Sequence, residues 1–287
     1  MSPICIVTDS SAQFAQPSFP GRNIVKIISH DVEINGRLYR EGEDLRAQNL
    51  PSSASKELQP KLIPPSPEMF YQEFSSIGQS FDTIIGIFLS SSLSECFNNA
   101  TKAAATLHGR FNVQTIDSQT TSLGLGLLVQ AAADLVSKGC SLTEVELQIR
   151  SQIPQIYGIF CMPGLTYLNS NKFIDHAQAT IGEMLGLLPI FALEEGQLSP
   201  LEKVRNHRHA IEFFQEFLDE FEYLQHIALL QSAPPNPQEA RMLRDYAQDS
   251  FPKTPFTEHT INLPLSVLFG PRSMGLIVVE AHGHPRH

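Results

Sequence analysis

The 287-residue chain carries only four cysteines, Cys5, Cys96, Cys140 and Cys161, and they lie far apart. No C-x-x-C pair or Cys/His ligand spacing occurs, so neither structural zinc nor a redox disulfide is expected, and the thiols read as free. Basic residues are few: 20 Lys and Arg stand against 30 Asp and Glu, for a formal charge of −10. No Lys/Arg stripe is present, which argues against broad binding to nucleic acid or to an anionic membrane surface. No apolar run approaches the ~18 residues that a membrane-spanning helix needs. The segment Met1 to Val7 is apolar but short and is followed closely by Asp9, so it reads as a first strand and not as a signal peptide. A cytoplasmic location is the expectation. The tail His282–His287 carries three histidines but is expected to be a frayed, flexible end, not a metal site. Low-complexity segments and short-period repeats are also lacking.

What is present is an ordinary globular balance, 42% apolar and 17% charged, on a chain long enough for two domains. Ile4-Cys5-Ile6-Val7 is an apolar run that ends in Thr8-Asp9-Ser10-Ser11, as a buried parallel strand would. Asn23 to Ile28 reads as a second strand. Val32 to Tyr39 alternates around Asn35-Gly36, a hairpin signal because a type I′ turn needs positive φ. Arg40 to Leu62 is polar, carries Pro51 and Pro60, and reads as loop with short helical pieces. Ser66-Pro67-Glu68 opens a helix with an N-cap, a proline at N1 and an acid at the positive end. Thr83 to Leu89 and Asn112 to Ile116 are strands, each followed by polar residues and a helix. Ser141-Leu142-Thr143-Glu144 is a capping box, and Pro154 stops the helix it opens.

Alternating strands and helices predict βαβ crossovers and a parallel sheet, with ligands gathering at its carboxyl edge. From about residue 161 the pattern is less regular. Helices fall between Leu165 and Met184, strands at Leu188–Leu193 and Gln197–Val204, and a helix over Asn206–Glu220. A strand at His226–Gln231, a helix from Pro237 to Asp249, and strands at Thr257–Leu263 and Gly275–Glu280 follow. The expected fold is α/β, with an N-terminal domain over residues 1–160 and a smaller C-terminal α+β domain over residues 161–281.

Individual motifs carry little chemistry. Ser90, Ser91, Ser92 and Ser94 follow a strand as a nucleophile would, but no G-x-S-x-G elbow surrounds them and no His/Asp pair is assignable. A hydrolase acting through Ser94 stays open as one alternative. Gly124-Leu125-Gly126 lacks the third glycine of a dinucleotide loop and runs directly into an apolar helical pattern, so close helix–sheet packing explains it equally well. Asp9 and Asp117 each end a strand, and each suits capping as well as catalysis. No metal and no cofactor are expected.

Taken in order, the segments are more specific. Thr8-Asp9-Ser10-Ser11, Pro65-Ser66-Pro67-Glu68-Met69-Phe70, Leu89 to Ala100, and Ile116-Asp117-Ser118 with Gly124 and Gly126 resemble successive motifs of the DegV family. So do Leu165-Thr166-Tyr167-Leu168, Leu188-Pro189-Ile190, Gly196-Gln197-Leu198, Lys203-Val204-Arg205, and Gly270-Pro271 with Gly275. The resemblance runs from residue 4 to about residue 279. It implies a two-domain lipid carrier holding a long-chain fatty acid in an interdomain apolar pocket. It also implies an acyl kinase as partner and a chain that is not itself an enzyme; a paralogous subunit is the partner under the alternative of a protein without lipid.

In that family the acid's carboxylate is held by a Thr, a Ser, an Arg and a His. The serine position here is Ser94; Ser92 of the same segment and Ser10 of the Thr8–Ser11 segment are expected to line the ligand site with it. The threonine position holds Leu62, followed by Ile63. The positions of the Gly-Gly-Arg motif hold Asn171, Lys172 and Phe173, and the histidine position holds Leu268. An ionised carboxylate buried without donors costs several kcal/mol, and one serine hydroxyl recovers only ~1–3 kcal/mol of that. The expected ligand is therefore a fatty acid held in a non-standard way, or a more neutral lipid such as an alcohol, ester or isoprenoid. A protein of the same fold without lipid is the other alternative.

Overall fold

The computed structural model describes residues 3–52 and 59–281; the histidine-rich tail at 282–287 lies outside the described residues. In chain order the elements begin with β1 (Ile4–Asp9), β2 (Val25–Ile28), β3 (Asp31–Ile34), β4 (Arg37–Arg40), β5 (Lys61–Ile63) and α1 (Pro67–Ile77). They continue with β6 (Thr83–Phe88), α2 (Cys96–Thr106), β7 (Asn112–Asp117), α3 (Ser122–Ser137) and α4 (Leu142–Gln152). Then come β8 (Ile156–Cys161), α5 (Leu165–Ser170), α6 (His176–Met184), β9 (Leu188–Glu194), β10 (Gln197–Val204) and α7 (His207–Asp219). The chain closes with β11 (Leu224–Gln231), α8 (Pro237–Ser250), β12 (Phe256–Thr260), α9 (Leu263–Phe269) and β13 (Met274–Glu280).

Two compact units result. Among the described residues the first comprises 3–31, 62–154 and 195–197; the second comprises 32–52, 59–61, 155–194 and 198–281. This differs from a single boundary near residue 160. Strand β8 joins the second unit because its partners are β9 and β13. Strand pairing is non-local, and an apolar run such as Ile156–Cys161 does not state which sheet it will enter.

The first unit is built on a parallel sheet of order β2-β1-β6-β7. On one face Cys5, Val7, Ile84 and Phe88 pack with Phe70 and Phe74 of α1 and with Cys96, Ala100 and Ala103 of α2. Each such large side chain contributes about 1.5–3 kcal/mol by leaving water. Helices α3 and α4 lie against each other, and α3 packs on β1 and β6. Leu123, Leu125, Leu128, Val129, Ala132 and Ala133 of α3 are buried. That burial on nearly every side explains its weak sequence periodicity. Gly126 has a steric reason to be glycine: a Cβ there would sit 1.8 Å from the carbonyl oxygen of Gln13. Gly126 thus serves close packing of α3 against the Gln13 backbone. Gly126→Ala is expected to lower unfolding free energy by about 2–4 kcal/mol, read from urea denaturation. A change below about 0.5 kcal/mol would contradict the packing role.

The second unit holds a six-stranded sheet of order β10-β9-β8-β13-β11-β12. The β8–β9, β8–β13 and β11–β13 pairs are antiparallel, and the β11–β12 pair, which α8 connects as a crossover, is parallel. Ile159, Ile190, Leu229 and Leu276 pack there with Phe214 and Leu218 of α7 and Leu243 of α8. The hairpin at Asn35-Gly36 forms as expected, with φ of 52° and 76°. The strand expected near Thr257–Leu263 is present as β12 but ends at Thr260, and α9, which was not expected, begins at Leu263. Every residue of α9 is buried, so it shows no apolar period. Its signals were local: Asn262 accepts from Leu265 N at 3.2 Å, and Pro264 sits in the first turn.

Candidate functional site

The carboxyl ends of β1, β6 and β7 bring three polar loops to one edge of the first sheet. Asp9 is fully buried. Its Oδ1 accepts from Ser11 N at 2.9 Å, and its Oδ2 accepts from Leu89 N at 2.7 Å. The Cys96 thiol also points to Oδ2, at 3.7 Å. The order β2-β1-β6 makes the β1–β6 gap the topological switch point, where open α/β sheets usually admit ligands. Here the chain's own carboxylate bridges it. Asp117 does the same one strand over, accepting from Ser91 N at 3.2 Å, Ser91 Oγ at 2.5 Å and Gln119 N at 3.0 Å. The two aspartates tie loops together; neither caps a helix, the role their position had suggested beside catalysis. Ser90 Oγ donates to the carbonyl of Gly196 at 2.6 Å, within the first unit. Gly196 has φ 82°, and a Cβ there would meet Ser90 Oγ at 2.6 Å.

His30 follows β2 at the same edge and was not anticipated from sequence. It is fully buried, its N–H donates to Ser10 Oγ at 3.0 Å, and its Nδ1 lies 3.2 Å from Ser10 Oγ and 3.8 Å from Asp9 Oδ1. The signal that could have found it is positional: in a parallel sheet, residue 30 after β2 reaches the same edge as residue 9 after β1. Asp, His and Ser therefore meet here, but not as a relay. A relay needs the carboxylate on one ring nitrogen and the hydroxyl on the other. Here both face Nδ1, and Nε2 is buried with no hydrogen-bond partner among the described residues.

Burial pushes the His30 imidazole below its ordinary value of 6.5, against the upward pull of Asp9 and Asp31. Burial lowers His226 and His259 as well. A lowered folded-state value means that the unfolded chain takes up the proton first. Stability is therefore expected to fall as pH drops below about 6.5. Thermal unfolding across that range should show the loss, and His30→Gln should remove part of it. Stability that rises on acidification would contradict neutral burial.

The residues singled out from sequence fall as follows. Ser10, Ser92 and Ser94 all lie in the edge loops of the first unit. Ser92 is exposed and its N–H donates to Ser90 Oγ at 3.3 Å, while Ser94 Oγ accepts from Cys96 N at 3.3 Å at the start of α2. Leu62 and Ile63 are half-buried on β5. In the second unit Phe173 stands edge-on to Phe269, with ring centroids 6.3 Å apart, and Leu268 is buried in α9. Sequence reasoning gave no role to Asn171. Its amide donates to Val267 O at 2.8 Å and Tyr167 O at 3.0 Å, tying α5 to α9 and so holding Phe173 and Leu268 in one neighbourhood.

Among the described residues no group of three or more His, Cys, Asp or Glu is arranged to hold a metal. Burial also pushes the Cys5 thiol up to about 11 and Cys161 up to about 12, which removes the thiolate a nucleophile needs. No described helix is long and apolar enough to cross a membrane.

These features define a two-unit α/β protein whose sheet-edge loops are tied by the carboxylates of Asp9 and Asp117, without a hydrolytic relay among the described residues. The family model described as "Uncharacterised protein, DegV family" matches residues 3–281, and the chain belongs to that family. A DegV domain-containing protein of Caldanaerobacter subterraneus is 29% identical over 218 residues, covering 76% of this chain and 77% of that protein. The fold is similar to that of a Thermus thermophilus DegV family protein described as fatty acid binding. That match has a TM-score of 0.81 at 24% identity, over 98% of this chain and 100% of that one. It is also similar to the Fatty Acid Kinase (Fak) B3 protein of Streptococcus pneumoniae, solved loaded with linoleic acid. That match has a TM-score of 0.81 at 18% identity, over 97% of this chain and 100% of that one.

Proposed function

We propose that this protein binds, and does not transform, a single acyl-chain lipid whose head is uncharged or only weakly held. The acyl class is supported by the family and by the fatty acids named for its solved relatives. The nature of the head rests on one observation in this chain. The positions expected to supply an Arg and a His hold Phe173, packed edge-on against Phe269, and buried Leu268, and neither side chain offers a hydrogen-bond donor. Leu62 and Ile63 add two further apolar side chains at the expected threonine position. Ser94 offers one hydroxyl, enough for an alcohol or ester oxygen and too little for a carboxylate.

Mass spectrometry of lipid extracted from the purified protein tests the acyl class. One dominant acyl-chain species is expected, and a lipid-free protein would overturn it. A partner kinase that phosphorylates an acyl carboxylate needs that carboxylate fixed and presented. Reconstitution with such a kinase is expected to yield little or no acyl phosphate. Robust turnover would show that other donors, such as Lys172 or Arg272, hold the head.

A further inference from the structure

We infer that the amino end of α3, together with the hydroxyls of Thr8 and Thr121, binds one small oxyanion, a phosphate or a carboxylate. Helix α3 is 16 residues long, and its N-cap residue Thr121 makes no side-chain cap bond. By contrast Ser66, Ser141, Asp175, Asn206, Asn236 and Asn262 each cap their helices through the side chain. The first intrahelical bond of α3 runs from Leu125 N to Thr121 O at 3.3 Å. The N–H groups of Ser122, Leu123 and Gly124 therefore have no acceptor within the helix, and they carry its positive dipole end. All three residues are buried.

Two buried hydroxyls belong to this end of the helix and to the strand beneath it. Thr8 and Thr121 are both 0% exposed, and neither Oγ1 has a hydrogen-bond partner among the described residues. Thr121 is the cap itself, so its hydroxyl is attached at the helix end. Thr8 approaches from the sheet. Cys5 and Val7 of β1 pack toward α1 and α2, so strand alternation turns Ile6 and Thr8 to the opposite face, where α3 packs on β1. Asp9 turns the other way, toward Cys96 of α2, and its oxygens already accept from Leu89 and Ser11. Ser122 has φ 51° and leads directly into helical residues, a handedness change that gathers successive N–H groups into a concave nest suited to an anion. Gln13 braces this end: its N–H donates to Ser122 O at 3.1 Å and its Oε1 accepts from Ser122 Oγ at 2.7 Å. Buried hydroxyls and N–H groups without acceptors are costly, and one oxyanion accepting from several of them relieves that cost.

The test is a titration of the whole protein with inorganic phosphate, and separately with octanoate, at ionic strength held constant with chloride. Thermal unfolding and calorimetric affinity are both read. A saturable rise of about 2–4 °C in the unfolding midpoint is expected. Thr8→Val with Thr121→Val should weaken the affinity at least tenfold. In chloride alone the double variant should unfold no earlier than the parent, because a hydroxyl without a partner contributes no bond to lose. If the double variant does not fold, each single substitution carries the same comparison, and Thr121→Ser should retain binding. Saturation by phosphate supports a free anion as ligand. Saturation by octanoate alone supports a carboxylate head at this position, and would count separately against the uncharged head proposed for the acyl ligand. No saturable effect from either probe, or equal affinities in parent and variants, would overturn the site.

Discussion

Asp9→Ala is expected to lower the unfolding free energy by about 3–5 kcal/mol, among the largest losses available to a single substitution in the first unit. The carboxylate is fully buried and accepts from two backbone N–H groups on separate loops, Ser11 and Leu89. Removing it strands both donors away from water at about 1–3 kcal/mol each, and adds a small cavity. Asp9→Asn keeps one acceptor oxygen and should cost less. Asp117→Ala should cost less as well, about 1–2 kcal/mol, because Asp117 and its Ser91 contacts are only partly buried and water can replace them. Urea denaturation of the three variants ranks them. An Asp9→Ala variant as stable as Asp117→Ala would show that the tie across the β1–β6 gap is not what organises this edge.

The second large effect is on ligand choice. Leu62→Thr, Phe173→Arg and Leu268→His together are expected to shift preference from a fatty alcohol to the matching fatty acid by at least tenfold at neutral pH. The three changes introduce donors for an ionised head, about 1.5–3 kcal/mol per charge-assisted bond. Singly they should do less. One donor does not satisfy a carboxylate, and a lone Arg beside Phe269 is itself penalised by burial. In the unmodified protein, acid binding should strengthen as pH falls, because the protonated head carries no buried charge. Acid affinity that is flat with pH in the parent, or a triple variant that still prefers the alcohol, would show that these positions do not contact the head.

Much of the fold was legible in the sequence because its signals are local. Ser66 and Ser141 cap their helices by side-chain bonds to Met69 N and Glu144 N, and Asn35-Gly36 turns a hairpin, each as the residue types dictate. Strand allegiance was not legible. Strand β8 joins the second unit through β9 and β13, and the Pro51 carbonyl accepts from the Tyr167 hydroxyl at 2.6 Å, partners far away in the chain that no property of the local sequence names. Helix α9 was hidden by its own burial, since a segment apolar on every side shows no period. At the site, sequence placed Ser10, Ser92 and Ser94 in the edge loops but gave no hint of His30 or Asn171. Both act through contacts made only after folding, His30 with Asp9 and Ser10, Asn171 with Val267.

The central claim is that this DegV family member takes an acyl chain without a full clamp for an ionised head. A competition titration on the unmodified protein tests it most directly, with a saturated fatty acid and the alcohol of equal chain length at neutral pH. The alcohol is expected to bind at least as tightly as the acid. A preference of about tenfold or more for the ionised acid would contradict the claim. It would mean that donors other than Ser94 reach the carboxylate.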